Sequence, residues 1–439
     1  MWTAVFWPPS ENLPTKSNQT INTMKNAHLS GILVMILLVS CSAGDEVRLR
    51  VYNPLDQPRN DAAVLLTRGE ISNWMDIPEG KLPVLLDKNR EPVPCQADDV
   101  DRDGQWDELF ALIQLAPKGE QELVLRFVPA GDYPGFEART NLRLGDAQQQ
   151  GYPELETAER LEGITYYNHT RTGEVYQMEG PAWENDKVGF RNYLDQRNGI
   201  DIFGKLTGKM VLDSVGIGGA PSYHEPGEWG MDVLKVGTSL GAGAIGYLYN
   251  DSIYRVGDNG SGSYELLFEG SQRSRFNLDY TSWRAGETEL DVVHQIEIAG
   301  GRHYYQATVT YSGTEEVLHL VPGIVNMKSN ELHVFEADPF HTALVTHDLQ
   351  AEDTSLLAMA LMVPTGSLIR YGTSRDSGEG IIQTYYAVLE AGPGRPVPYR
   401  FYALWEKEDP GWSSLEEVTR FLKGEAERWT QPVIVQVME

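Results

Sequence analysis

The feature that most restricts the fold is a two-residue alternation of apolar and polar side chains that recurs along the chain, with little helical periodicity beside it. Val47, Leu49 and Val51 alternate with Arg48 and Arg50; Leu123, Leu125 and Phe127 share one phase around Val124 and Arg126; Leu290, Val292, Ile296 and Ile298 share the phase of a third run. Successive side chains of a strand point to opposite faces, so these runs read as half-buried strands. Glycine (43) and proline (24) punctuate them at short intervals. Asp258-Asn259-Gly260-Ser261-Gly262, between two strand candidates, reads as a hairpin or a Gly-rich loop. The prediction is a mainly β fold, a large antiparallel β-sandwich. One helix stands out: Ser413 with Glu416 forms a capping box, and Leu415, Val418, Phe421 and Leu422 recur at helical spacing up to about Trp429.

A chain of 439 residues is long enough for more than one domain. Apolar density falls between about residues 129 and 160, which divides the chain into a small N-terminal β domain, 42–135, and a large β-sandwich, 155–439. The alternative is one continuous super-sandwich. Two cysteines make no disulfide framework. A net charge of −27, from 36 Lys+Arg against 63 Asp+Glu, excludes nucleic acid as a partner, because its binders neutralise phosphates with clustered cations.

The apolar run from Gly31 to Ser40 is preceded by Lys25 and His28 and followed at once by Cys41. It is shorter than the ~20 residues that span a bilayer, and it has the length of a signal-peptide core. Leu38-Val39-Ser40-Cys41 resembles the bacterial lipobox, which marks Cys41 for lipidation. Met24 is the better start for such a signal, so 1–41 reads as an upstream extension plus a lipoprotein signal. The expectation is an exported protein, periplasmic or attached to the outer membrane, held at the membrane by a lipid anchor.

Three constellations could carry chemistry. In Asp99-Val-Asp101-Arg-Asp103-Gly104-Gln-Trp-Asp107, carboxylates at alternate loop positions with a glycine at the sixth resemble a calcium loop, although Phe110 stands where an EF-hand has its bidentate Glu. Calcium is the candidate ion; an acidic turn capping its own backbone is the plainer reading. The second is the polar and aromatic segment 179–205, read as a long loop rather than a core strand. In it Trp183 offers a flat face to a sugar ring, Arg191 and Arg197 offer forks that match a carboxylate, and Asp195, Asp201 and Lys205 add polar partners. With Lys187, these cations suggest a local basic cleft inside an acidic shell. The third is 221–235, where Pro and Gly hold Tyr223, His224 and Trp229 on a constrained loop. His224 is the first candidate for a general base, with Tyr223 and Tyr193 as the alternatives. His294 shares the apolar phase of its strand and reads as a core histidine; His319, His341 and His347 specify no metal site.

The strings GPAWENDKVGFRNYLDQRNGIDIFGK, YHEPGEWGMDVLKVG and DDVDRDGQWDEL resemble a family of exported proteins, formerly of unknown function, encoded in polysaccharide-utilisation loci of Gram-negative bacteria. The resemblance covers most of the chain after the signal and implies a mutarotase-like super-sandwich. It also implies an activity like that of an ulvan oligosaccharide dehydratase, which removes water from a terminal uronate and leaves a 4,5-unsaturated residue. No catalytic residue is carried over from it. Three readings follow: an eliminating enzyme, dehydratase or lyase, acting on an anionic oligosaccharide; a glycoside hydrolase using carboxylates among Glu184, Asp186, Asp195, Asp201 and Asp232; and a non-catalytic glycan-binding lipoprotein.

Overall fold

The computed structural model describes residues 46–164, 168–218 and 221–438. The apolar run 31–40 and Cys41 lie outside the described residues. Ala43–Glu439 forms one compact unit. The described strands pair antiparallel throughout, and no described helix is long and apolar enough to cross a membrane.

Two sheets enclose a first core. One has the strand order Ile434–Val437, Glu46–Tyr52, Glu120–Pro129, Lys81–Leu86; the other has Arg59–Thr67, Glu108–Leu115, Cys95–Asp98. The alternation foreseen at Leu49, Val51, Leu123 and Leu125 points inward, against Val64, Leu66, Leu109 and Ala111. The strand Ile434–Val437 was not foreseen. It comes from the far end of the chain and pairs with Glu46–Tyr52 in the register Leu49↔Val437.

The larger core lies between a nine-stranded sheet, from His333–Glu336 at one edge to Thr157–Glu159 at the other, and two five-stranded sheets. Leu344, Leu357, Met359 and Leu361 of the nine-stranded sheet face that core. Their neighbours Ala343, Val345, Ala358, Ala360 and Met362 face the opposite side, where Val418, Leu422 and Ala426 of the helix Leu415–Thr430 cover them. A sheet buried on both faces reads as a continuous apolar run, as here. The helix begins one residue later than its sequence signature suggests. Ser413 still belongs to the short turn Pro410–Ser413 and donates its hydroxyl to the Pro410 carbonyl, so Ser414 caps the helix by accepting from the Glu417 N–H.

Of the two readings of the segment 258–262, the Gly-rich loop holds and the hairpin does not. The segment carries the chain from Ser252–Arg255, in one five-stranded sheet, to Ser261–Glu269 in the nine-stranded sheet. Gly260 has φ +68° there, and a Cβ on it would sit 2.6 Å from the Thr281 carbonyl oxygen, so no larger residue fits. The reading of 179–205 as a loop is also overturned. Ala182–Asn185, Val188–Asn192 and Ile200–Lys205 are adjacent, wholly buried strands of the other five-stranded sheet. Their charges are tolerated inside because they pair with one another: Lys205 with Glu184, Arg191 with Asp201.

Candidate functional site

Strand register puts the central group in place. Arg191 lies directly opposite Asp201 on the neighbouring strand, and Asp232, on Gly230–Asp232, lies opposite Phe203 one strand further on. These side chains converge at the floor of a cavity of about 490 Å³, whose walls include Tyr193, Arg197, Tyr223, His224 and Glu179, with Lys235 and Glu352 exposed at its rim.

The Arg191 guanidinium is buried. Its Nη1 donates to the Tyr223 hydroxyl at 3.0 Å, and its Nη2 donates to the Tyr193 hydroxyl at 3.2 Å and to Asp201, with Asp232 Oδ2 at 3.5 Å. Three aromatic rings surround it, their centroids 4.8 Å (Tyr193), 5.5 Å (Tyr223) and 5.6 Å (Phe203) from the guanidinium carbon. Burial alone would weaken its charge, but the phenols and the two carboxylates outweigh that and hold its pKa well above the ordinary value. Asp201 goes the other way. Burial and then the neighbouring Asp232 raise its carboxyl well above the usual range against the pull of Arg191.

The two phenols differ in what their protons do. Tyr193 donates to Asp201 Oδ2 at 3.0 Å, so its proton is committed inward. Tyr223 accepts from Arg191, which leaves its own O–H to donate toward the cavity. Burial raises both pKa values, which keeps both phenols protonated at neutral pH and makes them donors rather than bases.

His224 is the exposed member, with its side chain 62% accessible. Its Nδ1 lies 3.3 Å from Asp232 Oδ2, and its ring lies 4.3 Å from that of Tyr223. The carboxylate favours the Nδ1–H tautomer, which leaves the lone pair on Nε2. Arg197 is held by Asp195, whose carboxylate takes its Nε at 3.0 Å and its Nη2 at 2.6 Å. Burial opposes the Arg197 charge, while the Asp195 hydrogen bonds and then the charge of Asp195 raise its pKa. A second cavity of about 480 Å³, lined also by Arg255 and Arg375, shares Arg197 and Gly237 with the first, so the two form adjoining compartments of one cleft.

Six of the ten site candidates read from the sequence thus line one cavity, Arg191, Tyr193, Arg197, Asp201, Tyr223 and His224, and so does Asp232 from the hydrolase carboxylates. Four others do not. Trp183, read as a sugar platform, is a core side chain with no accessible surface, packed at 5.1 Å from Phe276 and 5.4 Å from Tyr305. Lys205 is sealed against Glu184 and the Asn185 carbonyl, and burial lowers its pKa, so it reaches no ligand. Asp195 is buried behind Arg197, where it also accepts from the Thr172 hydroxyl. Trp229 packs edge-on against Phe203, outside the cavity lining. The basic cleft is corrected as well: Lys187 pairs with Glu408 elsewhere, and carboxylates answer both arginines of the cavity.

Glu179 and His169, 3.2 Å apart, line the same cavity and were not singled out. Glu179 is aimed by two successive left-handed residues, Met178 at φ 56° and Glu179 itself at φ 66°. Strained backbone of this kind is a mark of functional sites, but it leaves no trace in the residue types.

In the acidic loop, oxygens of Asp99, Asp101 and Asp107 lie within 4.8 Å of one another, and Asp103 stands outside that convergence. Asp99 accepts from the Asp103 and Gly104 N–H groups and Asp107 from that of Val100.

Among curated proteins none matches this sequence. Of the solved structures, an alpha-mannosidase from Enterococcus faecalis V583 is similar at TM-score 0.45 and 9% identity, over 91% of this chain and 47% of that one. A protein in the glycosyl hydrolase family 38 from Enterococcus faecalis is similar at TM-score 0.47 and 9% identity, over 91% of this chain and 48% of that one. The chain spans about half the length of both. A family model matches far more directly, from residue 51 to residue 435, and the chain belongs to that family, the domain of unknown function DUF4861.

Proposed function

We propose that this protein is a carbohydrate-active enzyme that eliminates across C4 and C5 of a uronate in an anionic oligosaccharide, leaving a 4,5-unsaturated residue. One observation carries the reading: a His–carboxylate dyad, a phenol with an uncommitted proton and a buried guanidinium face the same cavity. A uronate C5–H is acidified by its carboxylate, and its removal builds negative charge that a fixed cation stabilises. In the proposed step Nε2 of His224 takes the C5 proton, the C–H electron pair forms the C4=C5 bond, and the C4–O bond breaks. The Tyr223 hydroxyl protonates the departing oxygen, and Arg191, bonded to that phenol, stabilises the phenolate left behind. Arg197 is the clamp for the substrate carboxylate, because its side chain is 13% exposed whereas that of Arg191 is 1% exposed at the floor. The adjoining compartment suits a second sugar, so the substrate is at least a disaccharide.

The carboxylates considered for glycoside hydrolysis are all committed: Glu184 to Lys205, Asp186 to Arg139, Asp195 to Arg197, and Asp201 and Asp232 to Arg191. That favours elimination over hydrolysis. Export and lipid attachment at Cys41 belong to the same proposal and rest on the sequence alone. Incubating the purified protein with uronate-terminated fragments of ulvan, pectin and alginate tests it. The expected product absorbs in the ultraviolet as a conjugated uronate double bond; release of reducing sugar without that absorbance would reverse the order of the two readings.

A further inference from the structure

We propose a second ligand site, for an oxyanion of the carboxylate or sulfate class, in the cavity between the N-terminal sheets and the C-terminal helix. This cavity measures about 570 Å³ and shares no lining residue with the cleft described above, so it stands or falls independently of the proposed reaction. In a chain of net charge −27 it gathers four guanidinium groups, those of Arg59, Arg302, Arg400 and Arg428.

Two carboxylates also line it, Asp61 and Glu425, and they do not balance these charges. Asp61 is taken by Arg139, which comes from outside the cavity. Glu425 is paired with Arg428 at 2.7 Å and is the one lining carboxylate left for the four arginines. The carbonyl groups at the end of the helix add partial negative charge, but Arg59 already donates to the Gln431 carbonyl there and to Asn53 at 2.9 Å. Arg59 is 7% exposed. Its pKa falls to about 10, through burial and then the repulsion of Arg428 and Arg302. Arg400 is fixed between the rings of Tyr304 and Trp429, at 4.6 and 4.0 Å from their centroids. Such preset guanidinium forks match planar or tetrahedral oxyanions, and the wall formed by Phe421, Pro432 and Val433 admits the body of a larger ligand.

The test uses the whole protein carrying Arg302→Gln and Arg428→Gln, two half-exposed arginines remote from the proposed catalytic cleft. Inorganic sulfate is titrated at constant ionic strength, balanced with chloride, and followed by calorimetry. Saturable binding to the unmodified protein and at least a tenfold weaker binding to the variant are expected, with turnover unchanged. Should the variant not fold, Arg302→Lys with Arg428→Lys keeps the charge but loses the forks, and a loss of at least threefold is expected. No saturable sulfate binding, or equal affinity in folded variants, would overturn the site. A chondroitin sulfate tetrasaccharide, titrated in parallel, distinguishes the sources: binding at least tenfold tighter than sulfate and lost in the variant assigns a glycan, whereas weaker or equal binding assigns a free oxyanion.

Discussion

His224 and Tyr223 are chain neighbours whose roles in the proposed reaction differ by one proton, and replacing each separates them. His224→Ala should lower kcat at least about a hundredfold, and Tyr223→Phe by a similar factor, as removal of a general base or acid does. Ultraviolet product formation reads both, and full activity in either variant removes that residue from the mechanism. Arg197→Ala should act mainly on KM. Arg191→Ala differs in kind, because it leaves Asp201 and Asp232 buried without their cation, and losing one partner of a buried ion pair costs roughly 3–5 kcal/mol. It should therefore depress the melting temperature along with activity. His294 provides a pH test of the core. It is buried, its ring nitrogen bonds the Tyr399 hydroxyl at 2.8 Å, and burial lowers its pKa from 6.5 to about 3. The unfolded chain binds this proton below pH 6.5 and the folded protein does not, so the contribution is present above pH 6.5 and fades as pH falls. The loss from this group between pH 7 and 5 is roughly 2 kcal/mol. Denaturation at both pH values should show that component in the unmodified protein and lack it in His294→Asn.

The elements that obeyed a simple period were legible, and those that carry the site were not. Strand Thr288–Ala299 repeats every two residues and was readable down to the inward histidine. Strands Ala182–Asn185, Val188–Asn192 and Ile200–Lys205 hold Glu, Asn, Arg, Asp and Lys in fully buried places, so their composition resembles a solvated loop. What makes them strands is partners distant in sequence or across the sheet, such as Asn185 donating to the carbonyls of Ala299 and Arg302. Periodicity does not report such pairs. The loop before Gly230 was easier, since Pro and Gly announce it and His224 with Tyr223 follow from residue type, but the same reading missed the buried strand Gly230–Asp232 that carries Asp232. Glu179 depends on its backbone angles and the helix on a cap displaced by one residue. At this scale Trp183→Ala should cost about 3–5 kcal/mol as a core truncation without a selective effect on KM. Leu422→Ala should cost about 2–5 kcal/mol by opening the seam between helix and nine-stranded sheet. A Trp183→Ala protein with unchanged melting temperature and impaired sugar binding would restore the platform reading.

Across the whole molecule, charge sets how an anionic substrate arrives. The protein carries −27, and Glu179, Asp232 and Glu352 stand beside Arg191, Arg197 and Lys235 in the cleft, so no surplus of positive charge draws the substrate in. Screening should therefore help. Raising ionic strength from about 0.01 to 0.15 M shortens the Debye length from roughly 30 to 8 Å, and kcat/KM for a uronate oligosaccharide should rise over that range. A fall would mean that the cleft attracts anions. The pairing of Glu46–Tyr52 with Ile434–Val437 has a different consequence, one of timing. Among the described strands the first has its permanent neighbour in the last, so one of its edges stays open until Ile434–Val437 has been made, although Glu120–Pro129 covers the other much earlier. An open edge is where foreign strands pair. Until then Glu46–Tyr52 offers an unpaired edge, and any pause in translation before residue 434 lengthens that exposure.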